Sequence, residues 1–236
     1  MSGARLATNP AGFYRLENDG QSLESGQMIT RRDTLNLMVG VGAVALLAGL
    51  PAWAQGAAPA GDLARAGPLG EIAYGPENAK VTIVEYASLT CSHCAAFHKD
   101  TWPELKKRYV DGGKVRFVLR EFPLDPLAMA GFMLARCEPA KTNAVVDLLF
   151  EQQRAWAFTD KPLDALSQMM RQAGFSQERF ESCLKDTKLY EAVNDVKARG
   201  EKLGVNSTPT FFINGKVHRG NMSIAELEKV IAPLLG

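Results

Sequence analysis

The chain has 236 residues, of which 27 are Lys or Arg and 26 are Asp or Glu, so its formal net charge is only +1. Because no basic stripe or acidic tail stands out, nucleic acid is not an expected partner. The sequence contains no Gly-rich phosphate loop and no metal motif, so neither a cofactor nor a resident metal ion is expected. The 4 cysteines are an even number, which permits two disulfides in an exported chain.

The first quarter of the chain resembles an export signal. Residues 35–50 form an uncharged apolar run that is too short to span a bilayer comfortably, since a membrane helix needs about 20 apolar residues. The small residues Ala52 and Ala54 follow this run in the pattern of a signal-peptidase site. We therefore predict that residues 1–54 are a signal peptide that is cleaved near Ala54.

The head of this signal leaves two questions open. The pair Arg31-Arg32 resembles the twin-arginine signal of folded-protein export, but Thr34 stands where an aromatic residue is usual. The ordinary secretory route therefore remains an alternative. Translation from Met28 rather than Met1 would give a compact head of the usual length.

The first predicted elements of the remaining chain alternate between strand and helix. Residues 55–74 are rich in small residues, Pro and Gly, which predicts a flexible lead-in. Residues 80–86 are β-branched and mostly apolar, as in a buried strand. Residues 95–109 predict a helix with a kink at its proline, and residues 114–120 alternate as a second strand does.

The middle of the chain changes character and then returns to strand. Residues 126–203 carry apolar residues at helical spacing and predict four or five helices. Residues 210–218 read as two strands joined by Asn214-Gly215, a pair suited to a type I′ hairpin turn. Residues 223–235 begin with a capping-box pattern and predict a last helix.

This order of elements predicts an α/β fold of the thioredoxin type that carries an inserted helical subdomain. The thioredoxin domain is expected to comprise residues 75–125 and 204–236. The helical insertion is expected to comprise residues 126–203.

The strongest chemical signal is Cys91-Ser92-His93-Cys94, at the predicted junction of a strand and a helix. Unpaired N–H groups and the partial positive charge of a helix N-terminus stabilise a thiolate and lower the pKa of Cys91. His93 would lower it further, and Cys94 would be the resolving partner. A structural disulfide and a zinc site that includes His98 are the alternatives, but so short a loop stabilises little and no second ligand pair is near.

A second signal is Thr208-Pro209 just before the predicted hairpin. A proline at the start of a strand cannot donate to the sheet ladder. If the bond between these residues is cis, a backbone edge stays available to hold an extended substrate peptide beside the cysteines.

From about Gly75 to Gly236, the chain resembles the DsbA family of bacterial periplasmic disulfide oxidases. The resemblance rests on an acid-bearing strand that leads into Cys-x-His-Cys, on the helical insertion and on Thr-Pro before a hairpin. It implies that Cys91 is the nucleophile and that Cys94 closes the redox pair. It also implies that Pro209 is the cis-proline opposite them.

The resemblance assigns further roles around the redox pair. His93 matches the family histidine that favours the thiolate, and Glu85 matches a carboxylate buried beneath the active site. Glu85 is then a proton acceptor for Cys94, unless its side chain reaches solvent at the face of the strand. Thr208 and Ser92 are the expected substrate-binding residues.

Three positions depart from the family pattern. Ser92 replaces the common proline, His98 stands where relatives often have an acid, and Thr208 is shared with isomerase-like branches. These departures leave the direction of electron flow open.

Some relatives also carry a second disulfide in the helical insertion, where this chain has Cys137 and Cys183. A bridge between them is expected, with a structural role. The alternative is a pair of buried thiols.

The resulting prediction is a periplasmic, monomeric thiol–disulfide oxidoreductase that introduces disulfides into reduced exported proteins through Cys91 and Cys94. A membrane partner of the DsbB type would reoxidise it. The alternatives are a disulfide isomerase or reductase and, from another class, a metal-binding or chaperone-like module.

Overall fold

The computed structural model describes residues 60–236, so the predicted signal peptide lies outside the described residues. At the centre is a sheet of five strands in the order β1-β3-β2-β4-β5. The strands are β1 (Ile72–Tyr74), β2 (Val81–Ala87), β3 (Val115–Glu121), β4 (Thr210–Ile213) and β5 (Lys216–Arg219). Strands β2 and β3 are parallel, and the other three pairs are antiparallel.

Ten α-helices accompany the sheet within residues 60–236. They are α1 (Ala60–Ala64), α2 (Ser92–Asp100), α3 (Trp102–Leu105), α4 (Pro126–Cys137), α5 (Thr142–Glu151), α6 (Gln153–Ala157), α7 (Pro162–Gln172), α8 (Gln177–Leu184), α9 (Thr187–Lys202) and α10 (Ile224–Leu235). Helices α4 to α9 all lie between β3 and β4, which confirms the predicted α/β thioredoxin fold with a helical insert. None of these ten helices is long and apolar enough to cross a membrane.

The prediction that residues 55–74 form a flexible lead-in is wrong for residues 60–74, the part that the structure describes. This part contains α1 and the edge strand β1, whose Ile72 is fully buried and pairs with Leu119. Two arginines of the core hold this segment: Arg120 donates to the carbonyl of Leu63, and Arg136 donates to the carbonyl of Gly70. Composition alone predicted flexibility because these long-range hydrogen bonds leave no local pattern.

The predicted kinked helix is divided in two. Helix α2 ends at Asp100, and α3 starts again with Pro103 in its first turn, where the missing N–H of proline removes no helical hydrogen bond. The hydroxyl of Thr101, between the two helices, donates to the carbonyl of Met222 at 2.9 Å. The break therefore falls before the proline rather than at it.

The two faces of the sheet support two hydrophobic cores, because neighbouring residues of a strand point to opposite faces. The larger core includes Ile83 and Phe211 and extends over α2 and α10 into the helical insert. The smaller core includes Val84 and Phe212 and packs against Val196 of α9. By the same alternation Glu85 belongs to the face of Ile83, under α2.

The hairpin turn has the predicted geometry. Asn214 and Gly215 both adopt positive φ angles, of 44° and 86°, as a type I′ turn requires. The side-chain oxygen of Asn214 accepts a hydrogen bond from the N–H of Thr82 at 2.8 Å, which ties the turn to β2.

Candidate active site

The cysteine motif lies where β2 leads into α2. Cys91 is the N-cap of α2, with extended backbone angles, and its N–H donates to the carbonyl of Ser88 at 3.1 Å. Cys94 lies one turn further along the helix and is completely buried, whereas Cys91 is partly accessible. Both cysteines are free thiols in the structure. A reacting molecule can therefore reach only the first of the two sulfurs.

The surroundings of Cys91 favour its thiolate. They lower its pKa from the ordinary value of 9.0 to about 5, mainly because the thiol of Cys94 donates a hydrogen bond to the Cys91 sulfur. Partial burial opposes this shift. Hydrogen bonding to Thr208 and to the backbone N–H groups of Cys94 and His93 lowers the pKa of Cys91 further. These backbone donors belong to the open first turn of α2, where N–H groups have no helical acceptor.

Cys94 is shifted in the opposite direction. Burial raises its pKa well above 9.0, and both its hydrogen bond to Cys91 and the negative charge of Glu85 raise it further. The proton of Cys91 is therefore lost first while Cys94 keeps its own, so the negative charge of the pair resides on Cys91.

Thr208 and Pro209 lie beside the redox pair, although they are more than a hundred residues away in the sequence. Their peptide bond is cis, and the Cys91 thiol donates to the carbonyl of Thr208 at 3.4 Å. The Thr208 hydroxyl is buried and has no hydrogen-bond acceptor among the described residues. It is therefore available as a donor once the Cys91 thiol loses its proton.

The alternative that Glu85 reaches solvent is wrong, because its side chain has 0% exposure. Its Oε2 lies 2.8 Å from Nε2 of His98, whose side chain is itself almost fully buried. The His98 ring also stacks on Phe150 of α5, with ring centroids 4.0 Å apart. The structure thus joins β2, α2 and the helical insert beneath Cys94.

Other predicted site residues lie in different surroundings. Ser92 and His93 are both exposed, and the predicted effect of the His93 side chain on Cys91 stays a prediction. No three His, Cys, Asp or Glu side chains in that range form a group that could hold a metal ion.

Cys137 and Cys183 form a disulfide within the helical insert. It joins the last residue of α4 to α8, with 5.7 Å between the two Cα atoms and 46 positions between them in the sequence. This disulfide is separate from the redox pair, and it links α4 covalently to α8 within the insert.

Two residues near the motif were missed by the sequence analysis. Asp125 accepts a hydrogen bond from the hydroxyl of Thr90, just before Cys91. Gln153 of α6 is buried and donates to the carbonyl groups of both Leu89 and Cys91. Only Asp125 carried a local signal, since an Asp directly before Pro126 is a typical helix N-cap.

Comparison with known proteins gives a consistent picture. A family model described as Thioredoxin matches residues 69–232. A Rickettsia conorii protein named as a protein-disulfide oxidoreductase is 34% identical over 168 residues, which are 68% of this chain and 59% of that protein. The chain spans about three-fifths of the length of the first curated relatives that it matches.

Solved structures show the same architecture. Alpha-DsbA1 from Wolbachia pipientis is 28% identical and has a TM-score of 0.68, with 75% of this chain and 96% of that chain covered. BdbD from Bacillus subtilis has a TM-score of 0.61 at 20% identity, with 70% of this chain and 92% of that chain covered, and this likeness concerns the fold alone.

Proposed function

The chain belongs to the thioredoxin family and is DsbA-like in its helical insert, and on this premise we propose that it is a periplasmic oxidase that introduces disulfides into exported proteins. The observation that carries the proposal is the asymmetry of the two sulfurs. Cys91 is accessible and its pKa is lowered to about 5, whereas Cys94 is buried and its pKa is raised. A stabilised Cys91 thiolate makes the reduced protein stable and its disulfide a ready oxidant.

The reaction starts from the oxidised form, in which Cys91 and Cys94 are joined. A substrate thiolate attacks Sγ of Cys91, the bond between the two protein sulfurs breaks, and Cys94 leaves and takes up a proton. A second substrate thiolate then attacks the substrate sulfur of the mixed disulfide, and Cys91 leaves as a thiolate. Two electrons pass from the substrate dithiol to the protein, which ends as the dithiol.

Glu85 is proposed to exchange the proton with Cys94 in this reaction. Support comes from its burial on the same face of the sheet and from the effect of its charge, which raises the pKa of Cys94 after the larger effect of burial. Pro209 and Thr208 are proposed to bind the substrate chain, since the Thr208 carbonyl lies 3.4 Å from the Cys91 sulfur. Ser92 is exposed directly after Cys91 and is proposed to contact the substrate as well.

The partners in the proposal follow from the chemistry. The substrates are reduced, unfolded exported proteins, and a membrane partner of the DsbB type takes the two electrons from the dithiol. The protein acts as a monomer after cleavage near Ala54.

The test is the oxidation of a reduced, denatured ribonuclease by stoichiometric oxidised protein. We expect ribonuclease disulfides to form as the protein thiols appear, with no oxidation by a Cys91→Ala variant. A second substrate, ribonuclease with scrambled disulfides, separates the alternatives. Efficient recovery of ribonuclease activity from the scrambled substrate by the reduced protein, with little oxidation of the reduced substrate, would favour an isomerase and contradict the proposal.

A further inference from the structure

Gln153, at the start of α6, holds the turn that carries Cys91. Its Nε2 donates to the carbonyl of Leu89 at 2.8 Å and to the carbonyl of Cys91 at 3.0 Å. The side chain is only 3% exposed, so water does not replace these contacts in the native state. The helical insert thereby makes a direct polar contact with the backbone of the redox motif.

The chemistry of the two acceptors fixes the orientation of this amide. Both partners are carbonyl oxygens, which only accept, so the nitrogen of the Gln153 side chain must face them. Both of its N–H bonds are then used, one for each carbonyl. The alternative orientation would place an oxygen against two oxygens.

The position of these carbonyls matters for the sulfur. The carbonyl of Cys91 also accepts the first bond of α2, from the N–H of Ala95 at 3.1 Å. Its negative end therefore points into the helix and toward Gln153, while the N–H groups of His93 and Cys94 are directed at the Cys91 sulfur. Gln153 thus contacts the carbonyl of the residue whose sulfur accepts from these N–H groups.

The turn is held from a second side as well. The Thr90 hydroxyl donates to Asp125, and the hydroxyl of Ser88 accepts from the N–H of Leu124 at 3.3 Å. These contacts come from the loop between β3 and α4. Gln153 holds the same turn at the carbonyl of Cys91 itself.

We propose that Gln153 is a positioning residue for the redox pair, which holds the first turn of α2 so that its N–H groups stay aimed at the sulfur of Cys91. This inference rests on the proposed function in that Cys91 is the reacting sulfur. It assigns to the helical insert a part in setting the oxidising power of the protein.

The test compares Gln153→Met, which keeps the length of the side chain but removes both donors, with Gln152→Met. Gln152 is the exposed neighbour and serves as the matched control. In the full chain, the titration of Cys91 is followed by the ultraviolet absorbance of its thiolate, and the equilibrium of the redox pair is measured against glutathione. The melting temperature of each variant is recorded separately.

We expect Gln153→Met to raise the pKa of Cys91 and to favour the disulfide form by at least about tenfold, which makes the protein about 30 mV less oxidising. Gln152→Met should match the wild type. A Gln153→Met variant with a lower melting temperature but an unchanged titration and equilibrium would overturn the proposal, because Gln153 would then only stabilise the fold.

If Gln153→Met does not fold, Gln153→Asn carries the test. Its amide is one methylene shorter and cannot reach both carbonyls, so a smaller shift in the same direction is expected, and no shift overturns the proposal. Failure of the proposed oxidase function is read separately, from the potential of the wild type. The effect of Gln153 is read from the difference between variants.

Discussion

The lowered pKa of Cys91 predicts a pH-dependent stability of the reduced protein. A thiol whose pKa falls from 9.0 to about 5 on folding contributes stability that is complete above pH 9. This contribution is lost as the pH falls through 5. The perturbation that isolates it is Cys91→Ala, which removes the titrating group.

The size of the effect follows from the shift. At pH 7 the folded thiol is about two pH units above its pKa, while the unfolded thiol is still protonated. Each unit is worth about 1.4 kcal/mol, so the contribution is about 2 kcal/mol after an allowance for solvent screening at a half-buried sulfur. The same energy stabilises the dithiol and makes the disulfide more oxidising by about 40 mV.

The assay is urea unfolding of reduced wild type and reduced Cys91→Ala between pH 5 and pH 7. The raised pKa of Cys94 does not interfere, because that group stays protonated in both states over this range. We expect the difference in unfolding free energy between the two proteins to grow by about 2 kcal/mol in favour of the wild type. Parallel pH profiles would refute the reasoning about the Cys91 thiolate.

Three further predictions concern the surroundings of the site and the insert. Burial is the main cause of the raised pKa of Cys94 and the charge of Glu85 adds to it, so Glu85→Gln should lower that pKa. The lower pKa would appear as faster alkylation of Cys94 at fixed pH in a Cys91→Ala background. An unchanged alkylation rate would contradict the effect of the Glu85 charge. Joint replacement of Cys137 and Cys183 by alanine should cost about 4 kcal/mol of unfolding free energy in urea, and a loss near zero would contradict a bracing role. Arg136 forms an ion pair with Glu121 of β3, whose side chain is fully buried. Arg136→Met leaves this carboxylate without its counter-charge and should cost about 3–5 kcal/mol in the same assay, whereas a neutral result would mean that the ion pair contributes little.

Local patterns in the sequence predicted the elements that position the motif. The β-branched run at β2, the helical spacing of the insert and the Asn214-Gly215 turn each follow from a short-range rule of backbone and side-chain geometry. The placement of Cys91 at a helix N-terminus came from the same reading. The comparisons with known proteins confirm the fold and the family.

Contacts between distant residues could not be predicted in this way. Glu85 and His98 are 13 positions apart on a strand and a helix, and no spacing rule pairs them. Gln153 resembles any polar residue of a surface helix, and only the packing of the insert brings it to Cys91. Strand β1 has three residues and owes its place to long-range pairing with β3.

The most direct test of the central claim is the equilibrium of the Cys91 and Cys94 pair with glutathione in the purified protein. The stabilised thiolate predicts a reduction potential nearer to −120 mV, as in a strong oxidant, than to −270 mV, about the value of thioredoxin. A potential near −270 mV would contradict the account and would point to a reductant.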